Sequence, residues 1–169
     1  VVGNAEFCDC VLKCWSAPVT NPNEWVCHGE IFCVGKTRDH ESDTDYTKEH
    51  SKLFAPDVVE KDGKYYLYAY IEGQKGCVAV SDKPEGPFKY LSTFTGKLPE
   101  KAFNNGIFID PAVFVDDDGK AYIYCGFLKS EMAELNPDNM YEVIEGSVIK
   151  DFIPSELRPE DGFDEKEKL

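Results

Sequence analysis

Short apolar runs, separated by polar stretches rich in Gly, Pro, Asp and Asn, follow one another along most of the chain. Runs of this length that are rich in aromatic and β-branched residues are typical of strands. The predicted strands are 10–15, 25–28 with 31–32, 57–60, 65–71, 76–81, 88–92, 112–115, 121–127, 131–135 and 143–149. Helical spacing is nearly absent, so the pattern predicts an all-β chain.

A repeat organises these strands. Residues 58–68 align without a gap with residues 114–124, at an offset of 56 residues. Each copy predicts a strand, an Asp-Gly turn and a second strand. A proline follows the third strand of each unit, where it suits a turn, at Pro18, Pro84 and Pro137. Four antiparallel strands in a unit of this length predict a β-propeller blade.

The units divide the chain, 1–169, which we expect to be a single partial propeller domain. The predicted parts are the end of blade one at 1–35, blade two at 52–100, blade three at 108–150, and a loop or frayed tail at 151–169. We expect the first two strands of blade one to be absent and the chain to be a fragment. Its exposed blade faces then predict pairing with the missing blades or self-association.

The excess of acidic over basic residues limits the classes of partner that the chain can bind. The net charge is −14 and the pI is about 4.6. A nucleic-acid binder needs a basic surface, so this class is excluded. No apolar run approaches the roughly 18 residues of a membrane span, so we expect no membrane partner.

The chain has seven cysteines, which indicate whether it holds disulfides or a metal and in which redox compartment it resides. An odd number argues against a complete disulfide framework. The spacing of Cys8, Cys10 and Cys14 matches no standard zinc pattern, so we expect buried reduced thiols, no metal and no cofactor. Unpaired thiols favour the cytoplasm. Secretion stays open, because the chain begins at Val1 and we expect a missing N-terminal part, which could carry a signal peptide.

One acid distinguishes the two copies of the repeat. Phe54-Ala55-Pro56 precedes the first copy and Asp110-Pro111-Ala112 precedes the second, so Asp110 aligns with Phe54. Repeats share scaffold residues and differ at sites, which makes Asp110 a candidate for chemistry. The alternative is that Asp110 only forms an Asx-type turn at the start of a strand.

Both copies resemble glycoside hydrolase family 43, whose five-bladed propellers cleave xylosides and arabinosides. The resemblance covers residues 10–150 and rests on Phe54-Ala55-Pro56-Asp57-Val58 with 62–68, on 78–88, on Ile109-Asp110-Pro111-Ala112-Val113-Phe114 with 116–122, and on 133–136. It implies an inverting hydrolase with three carboxyl groups. An Asp in blade one is the base, a Glu in blade four is the acid, and an Asp in blade three orients the acid and raises its pKa.

Only the blade-three position matches a residue here, which is Asp110. The resemblance therefore implies that Asp110 is catalytic, and we assign substrate binding to Phe54 and Phe108; for Phe54 a plain core position is the alternative. The parent protein is expected to act on a plant cell-wall oligosaccharide or polysaccharide. It would cleave β-xylosidic or α-L-arabinofuranosidic bonds, while the isolated chain is expected to be inactive.

Two other functions stay open. The chain is a non-catalytic sugar-binding or assembly half-propeller, or it belongs to another five-bladed hydrolase such as a fructan-cleaving enzyme. An inner-strand Asp encoded upstream and a Glu-bearing strand encoded downstream would distinguish an enzyme from a binding module.

Further polar residues have simpler explanations. Asp57 is expected to cap backbone groups, and the acidic run 116–118 is expected to be a solvated turn rather than a calcium site. Glu165 lies in a charged tail that does not suit a buried inner strand, so we do not assign it as the missing acid. The histidines show no ligand spacing and are expected at turns or on the surface: His28, His40 and His50.

Overall fold

A computed structural model describes residues 2–3, 10–35, 42–44, 51–126 and 129–153. Within them the chain forms three antiparallel sheets. The first has the order β1 (Val2–Gly3), β2 (Val11–Ser16), β3 (Val26–Cys33). The second has the order β4 (Leu53–Lys61), β5 (Lys64–Ile71), β6 (Cys77–Ser81), β7 (Lys89–Thr93). The third comprises β8 (Ala112–Val115), β9 (Ala121–Cys125), β10 (Glu131–Leu135) and β11 (Ile149–Lys150).

The strand predictions are confirmed in the main, and the predicted antiparallel four-stranded sheets are present. The predicted opening hairpin is β2 with β3, and the structure adds the two-residue β1 beside β2. A four-residue helical turn, α1 (Phe103–Gly106), joins the second sheet to the third. No helix in the described ranges is long and apolar enough to cross a membrane.

One predicted strand is wrong. Residues 143–149 do not form a continuous strand, because Val143 makes only an isolated bridge with Leu135 and the chain then turns at Glu145 and Gly146. The outermost strand is β11, which pairs with β10. Other predictions lie outside the described residues: the tail from 154, Cys8, His40, His50, Phe127 and Glu165.

Two hydrophobic cores lie between the sheets, and β5 contributes to both. Leu67, Ala69 and Ile71 face the core shared with the first sheet, while Tyr66 and Tyr68 face the core shared with the third sheet. The second sheet is therefore covered on both faces. This arrangement explains why its strands contain almost continuous apolar sequence rather than a strict alternation.

Two polar contacts tie the second sheet to the third. The buried Tyr68 hydroxyl donates to the Met140 carbonyl at 2.9 Å. The Asp57 carboxylate accepts from the Val113 amide at 2.7 Å, which confirms the prediction that Asp57 caps backbone. Burial, followed by the nearby Tyr66 and Asp57, raises the pKa of Tyr68, so its hydroxyl stays a donor.

The two repeat copies pair their strands in different registers. Val59 pairs with Tyr66, whereas Phe114 pairs with Tyr122. The inner strands are thus related by 55 residues (59 to 114), while the strands beside them are related by 56 (66 to 122). The ungapped alignment of the sequences does not reveal this difference.

The lengths of the two turns account for the difference of one residue between the two offsets. In the first copy Lys61 pairs with Lys64, which leaves the two residues Asp62 and Gly63 in the turn. In the second copy the Asp116 amide donates to the Lys120 carbonyl at 2.8 Å, which leaves residues 117–119 between them. The longer turn restores the offset of 56 after the inner strand.

The Tyr68 hydrogen bond provides a test of the sheet-to-sheet contact. Tyr68→Phe leaves the buried Met140 carbonyl without its donor, so we expect the free energy of unfolding to fall by about 1–3 kcal/mol. Tyr66→Phe, at a partly buried tyrosine of the same strand and core, is the matched control and should change it little. Chemical denaturation of the purified polypeptide measures both. Equal effects of the two substitutions would contradict the assignment.

Candidate functional site

Asp110 lies two residues before β8 in an unusual backbone conformation. Its φ is +50°, its side chain is exposed, and the following Pro111 is buried. A proline disfavours the right-handed helical region for the residue before it, and Asp tolerates the left-handed region better than most residues. The backbone therefore holds Asp110 in a fixed direction at the start of the inner strand.

The register corrects the repeat position of Asp110. With the offset of 55, its structural counterpart is Ala55, which also has a positive φ, of +41°, and also precedes a proline. Phe54 pairs with Tyr70 and corresponds to Ile109 rather than to Asp110. The prediction that Phe54 holds the Asp110 position is thus wrong by one residue. Both residues nevertheless lie at the same end of their inner strands.

The ends of β9 and β10 surround Asp110. The Gly126 amide donates to the Ile109 carbonyl at 3.0 Å. Gly126 has a φ of +151°, and a Cβ there would lie 1.9 Å from the Lys129 carbonyl oxygen, so only glycine fits. Burial first, and then the charges of Glu131 and Asp110, raise the pKa of the Cys125 thiol. The Cys125 thiol is therefore uncharged where it lies near the Glu131 and Asp110 carboxylates.

A cleft of about 570 Å³ opens between the third sheet and the segment that leads into it, and Ile109, but not Asp110, is among the residues that line it. Its floor is apolar and includes Phe103, Ile109 and Cys125. Its rim is polar and charged, with Lys101, Asn104, Lys129, Glu131, Lys150 and Asp151. Clefts of this volume, with an apolar floor and a few polar groups, suit small ligands.

The structure contradicts the substrate-binding assignment of Phe108. Its side chain is 0% exposed and stacks on Phe94, with ring centroids 3.9 Å apart, and on Phe103, with centroids 4.3 Å apart. Phe108 therefore belongs to the core between the second and third sheets. Phe108 lies two residues before Asp110, and its buried ring packs into the core that supports this part of the backbone.

Phe54 is different, because it is only half-buried and its ring is tilted against Tyr70 at 5.4 Å. Its assignment to substrate binding stays a prediction.

The remaining polar candidates have structural roles. Residues 116–118 are exposed, and the Asp116 and Asp118 carboxylates accept from amides of their own turn at 2.7 and 3.0 Å, which confirms a solvated turn. His28 is exposed and bonds the Ser16 hydroxyl at 2.7 Å. In the described ranges no three His, Cys, Asp or Glu side chains cluster so as to hold a metal ion.

The cysteines that the structure describes form no disulfide bonds. Cys14, Cys33, Cys77 and Cys125 are buried, and the Cys10 and Cys33 sulfur atoms lie 4.0 Å apart, at the distance of a weak hydrogen bond between thiols. Burial raises the pKa of Cys33 to about 12, so this thiol stays protonated.

The segment before Asp110 holds a feature that the sequence analysis missed. Residues with positive φ that are not glycine concentrate in it: Lys101, Phe103, Asn104, Asn105 and Phe108. Such backbone conformations are costly and cluster at functional sites. The signal available in the sequence was Asn-Asn-Gly at 104–106, since Asn and Gly tolerate the left-handed region best.

Four-stranded antiparallel sheets packed face to face, with β4 beside β8, define a β-propeller. The chain belongs to the glycosyl hydrolases family 43, whose family model matches residues 33–160. The predicted family and the predicted all-β propeller class are thus confirmed.

Several relatives illustrate the match. Over 112 residues the chain is 51% identical to xylosidase/arabinosidase 43A of Humicola insolens, which covers 63% of this chain and 29% of the relative. Over 162 residues it is 32% identical to a xylosidase/arabinosidase of Thermoclostridium stercorarium, covering 89% and 32%. A solved α-L-arabinofuranosidase of Clostridium thermocellum ATCC 27405 superposes with a TM-score of 0.59 at 31% identity, covering 82% and 44%. The chain spans about a third of the length of the curated relatives that it matches.

The different roles of Phe108 and Phe54 predict different costs of truncation. Phe108→Ala leaves a cavity in the aromatic stack, so we expect the free energy of unfolding to fall by about 3–5 kcal/mol. Phe54→Ala loses one half-exposed ring pair and should cost about 0.5–1.5 kcal/mol. Denaturant titration measures both, and Phe108→Leu gives a milder variant should Phe108→Ala fail to fold. A larger cost at Phe54 than at Phe108 would reverse the assignment.

Proposed function

We propose that the protein carrying this chain hydrolyses β-xylosidic or α-L-arabinofuranosidic bonds of plant cell-wall oligosaccharides or polysaccharides, with inversion at the anomeric carbon. Asp110 is the carboxylate that orients the general acid and raises its pKa. The observation that carries the proposal is the exposed Asp110, held by the backbone at the start of an inner strand of a family 43 propeller. The names of the relatives, xylosidase/arabinosidase and α-L-arabinofuranosidase, support the substrate class.

A third carboxylate can assist this chemistry by raising the pKa of the acid. Inversion needs an acid that protonates the leaving oxygen and a base that activates water, with carboxyl groups roughly 6.5–9.5 Å apart. An acid that works near neutral pH needs a raised pKa, and a neighbouring negative charge raises it by repulsion. Asp110 can supply that charge, because it is exposed and its backbone is fixed by the proline that follows.

The electrostatic character of the chain agrees with a neutral substrate. A net charge of −14 repels polyanions at long range, whereas neutral pentose chains are unaffected.

Substitution of Asp110 tests its role. In the complete gene product, Asp110→Asn should lower kcat/KM on aryl β-xylosides or α-L-arabinofuranosides by about 10²-fold or more. Removal of the negative charge also lowers the pKa of the acid, so the alkaline limb of the pH–rate profile should move to lower pH. Steady-state kinetics across pH gives both quantities.

Asp117→Asn is the matched control, because Asp117 is an exposed acid in the turn at the other end of β8. It should leave the profile in place. An Asp110→Asn protein with an unshifted alkaline limb would refute the tuning role, even if its rate is low.

The 169-residue polypeptide alone should hydrolyse neither substrate. Of the three carboxyl groups that the mechanism uses, only Asp110 matches a position in this sequence, and general acid and general base catalysis each contribute typically 10²–10⁴-fold. The assay uses purified polypeptide with both aryl glycosides, and host enzymes are excluded by an empty-vector preparation. Turnover that disappears in Asp110→Asn would show that the acid and base lie within these residues.

A further inference from the structure

Two thiols meet at one end of the first sheet, and the proposed hydrolysis uses neither of them. β2 begins at Val11 and β3 ends at Cys33, and these two residues pair across the sheet. Cys10 lies directly before β2, and its carbonyl accepts from the Val34 amide at 2.9 Å. The Cys10 and Cys33 sulfur atoms are 4.0 Å apart. Strand pairing therefore brings together two thiols that are 23 positions apart in the sequence.

The backbone at this pair meets the requirement for a disulfide bond. Residues on adjacent antiparallel strands that are displaced by one position have Cα atoms about 6 Å apart. Disulfide bonds need a Cα separation of roughly 4.4–6.8 Å, and the two sulfur atoms must approach by about 2 Å to reach bonding distance. Rotation of the Cys10 side chain about its Cα–Cβ bond can provide this approach, because Cys10 is only half-buried.

Cys33 is the fixed and protected member of the pair. Its amide donates to the Asp43 carboxylate at 2.8 Å, and its carbonyl accepts from the Asp43 amide at 2.8 Å. Its thiol donates to the Gly35 carbonyl at 2.5 Å, and the residue is 0% exposed. A reagent in solution therefore reaches the half-buried Cys10 before it reaches Cys33.

We propose that Cys10 and Cys33 form a reversible disulfide bond when the protein meets an oxidising low-molecular-weight disulfide, and that this bond locks the hairpin of β2 and β3. The Cys10 thiol loses its proton, attacks one sulfur of the reagent and forms a mixed disulfide, which releases one thiolate of the reagent. Cys33 then loses its proton and attacks the Cys10 sulfur, which releases the second thiolate. The two protons pass to the two released thiolates, so two protein thiols are oxidised while one reagent disulfide is reduced to two thiols.

The closing step is the slow one. Burial, with smaller contributions from Cys10 and Asp43, raises the pKa of Cys33 to about 12, so its thiolate is scarce near neutral pH. We therefore expect closure to be faster at mildly alkaline pH. The state of the pair also depends on the compartment, because a cytoplasmic glutathione pool keeps thiols reduced whereas the secretory route oxidises them.

The same hairpin supplies a matched control pair. Trp15 pairs with Cys27, so Cys14 is also displaced by one position from a cysteine on the other strand. Cys14 is buried, however, whereas Cys27 is exposed. We expect no disulfide between them, although Cys27 is the more accessible thiol to a reagent in solution.

Peptide mapping of the oxidised protein tests the proposal. The complete gene product is incubated with oxidised glutathione at mildly alkaline pH, the remaining thiols are alkylated, and the protein is digested with trypsin and Glu-C. The digest places the cysteines in the peptides 7–13, 14–24, 25–30 and 31–36, of which only 7–13 contains two, Cys8 and Cys10. We expect 7–13 to be linked to 31–36 in most molecules, and the link to be lost when the digest is treated with dithiothreitol.

Variants assign the sulfur atoms in the linked peptides. Cys10→Ser and Cys33→Ala should each abolish the link, whereas Cys27→Ser should leave it unchanged. A link to 31–36 that persists in Cys10→Ser would assign it to Cys8 and overturn the proposal. A wild-type protein in which 31–36 stays alkylated, or links to 25–30 instead, would overturn it as well.

Thermal unfolding tests the locking role without any measurement of hydrolysis. A disulfide that closes a loop of this length should raise the Tm of the oxidised wild-type protein by roughly 3–10 °C above that of the reduced protein. The same treatment should leave the Tm of Cys10→Ser in place. An unchanged Tm in wild-type protein that carries the mapped link would overturn the locking role.

Discussion

The rest of the structure depends on the burial of sheet faces against neighbouring sheets. A single four-stranded sheet of this composition has two apolar faces and cannot cover either by itself. The second sheet solves this by packing against both neighbours, with Leu67 on one face and Tyr68 on the other. Burial of each large side chain contributes about 1.5–3 kcal/mol, which far exceeds any surface ion pair in the chain. The packed interface between sheets, and not the hydrogen bonds between strands alone, therefore fixes the position of the inner strands.

The interface between the second and third sheets also supports the candidate site. Phe108 inserts between Phe94 and Phe103 two residues before Asp110. The stack fits because Gly76 lies against it, and a Cβ on Gly76 would come within 2.6 Å of the Phe94 ring and 2.9 Å of the Phe108 Cβ. The direction of the Asp110 carboxylate is thus set by an aromatic core below it. A substitution in that core is expected to move the Asp110 carboxylate, although the substituted residue does not contact it.

Much of this fold could be predicted from the sequence because strands and Asp-Gly turns have local signals. The backbone-capping role of Asp57 was also predictable, since short Asp side chains readily bond backbone groups, although β4 begins at Leu53 and so places Asp57 inside the strand rather than at its start. The register was not, because the extra residue of the turn at 117–119 is hidden in an ungapped alignment and shifts the inner strand by one residue relative to the strand beside it. Phe108 was misassigned for a related reason: sequence places it beside Asp110, and only packing decides whether an aromatic side chain points to a pocket or to the core.

The candidate site combines two features: an aromatic core that supports the backbone at Asp110, and a strained segment that precedes Asp110. Left-handed residues between 101 and 110 cost free energy, of order 1 kcal/mol or more each, and they persist only where packing determines them. Here Phe103 and Phe108 are both left-handed and both fully buried in the stack. The packing free energy of two aromatic rings therefore offsets the strain and fixes the backbone of the segment that leads to Asp110. The sequence repeat singles out Asp110, whereas only the structure shows that a strained and packed segment fixes the backbone before it.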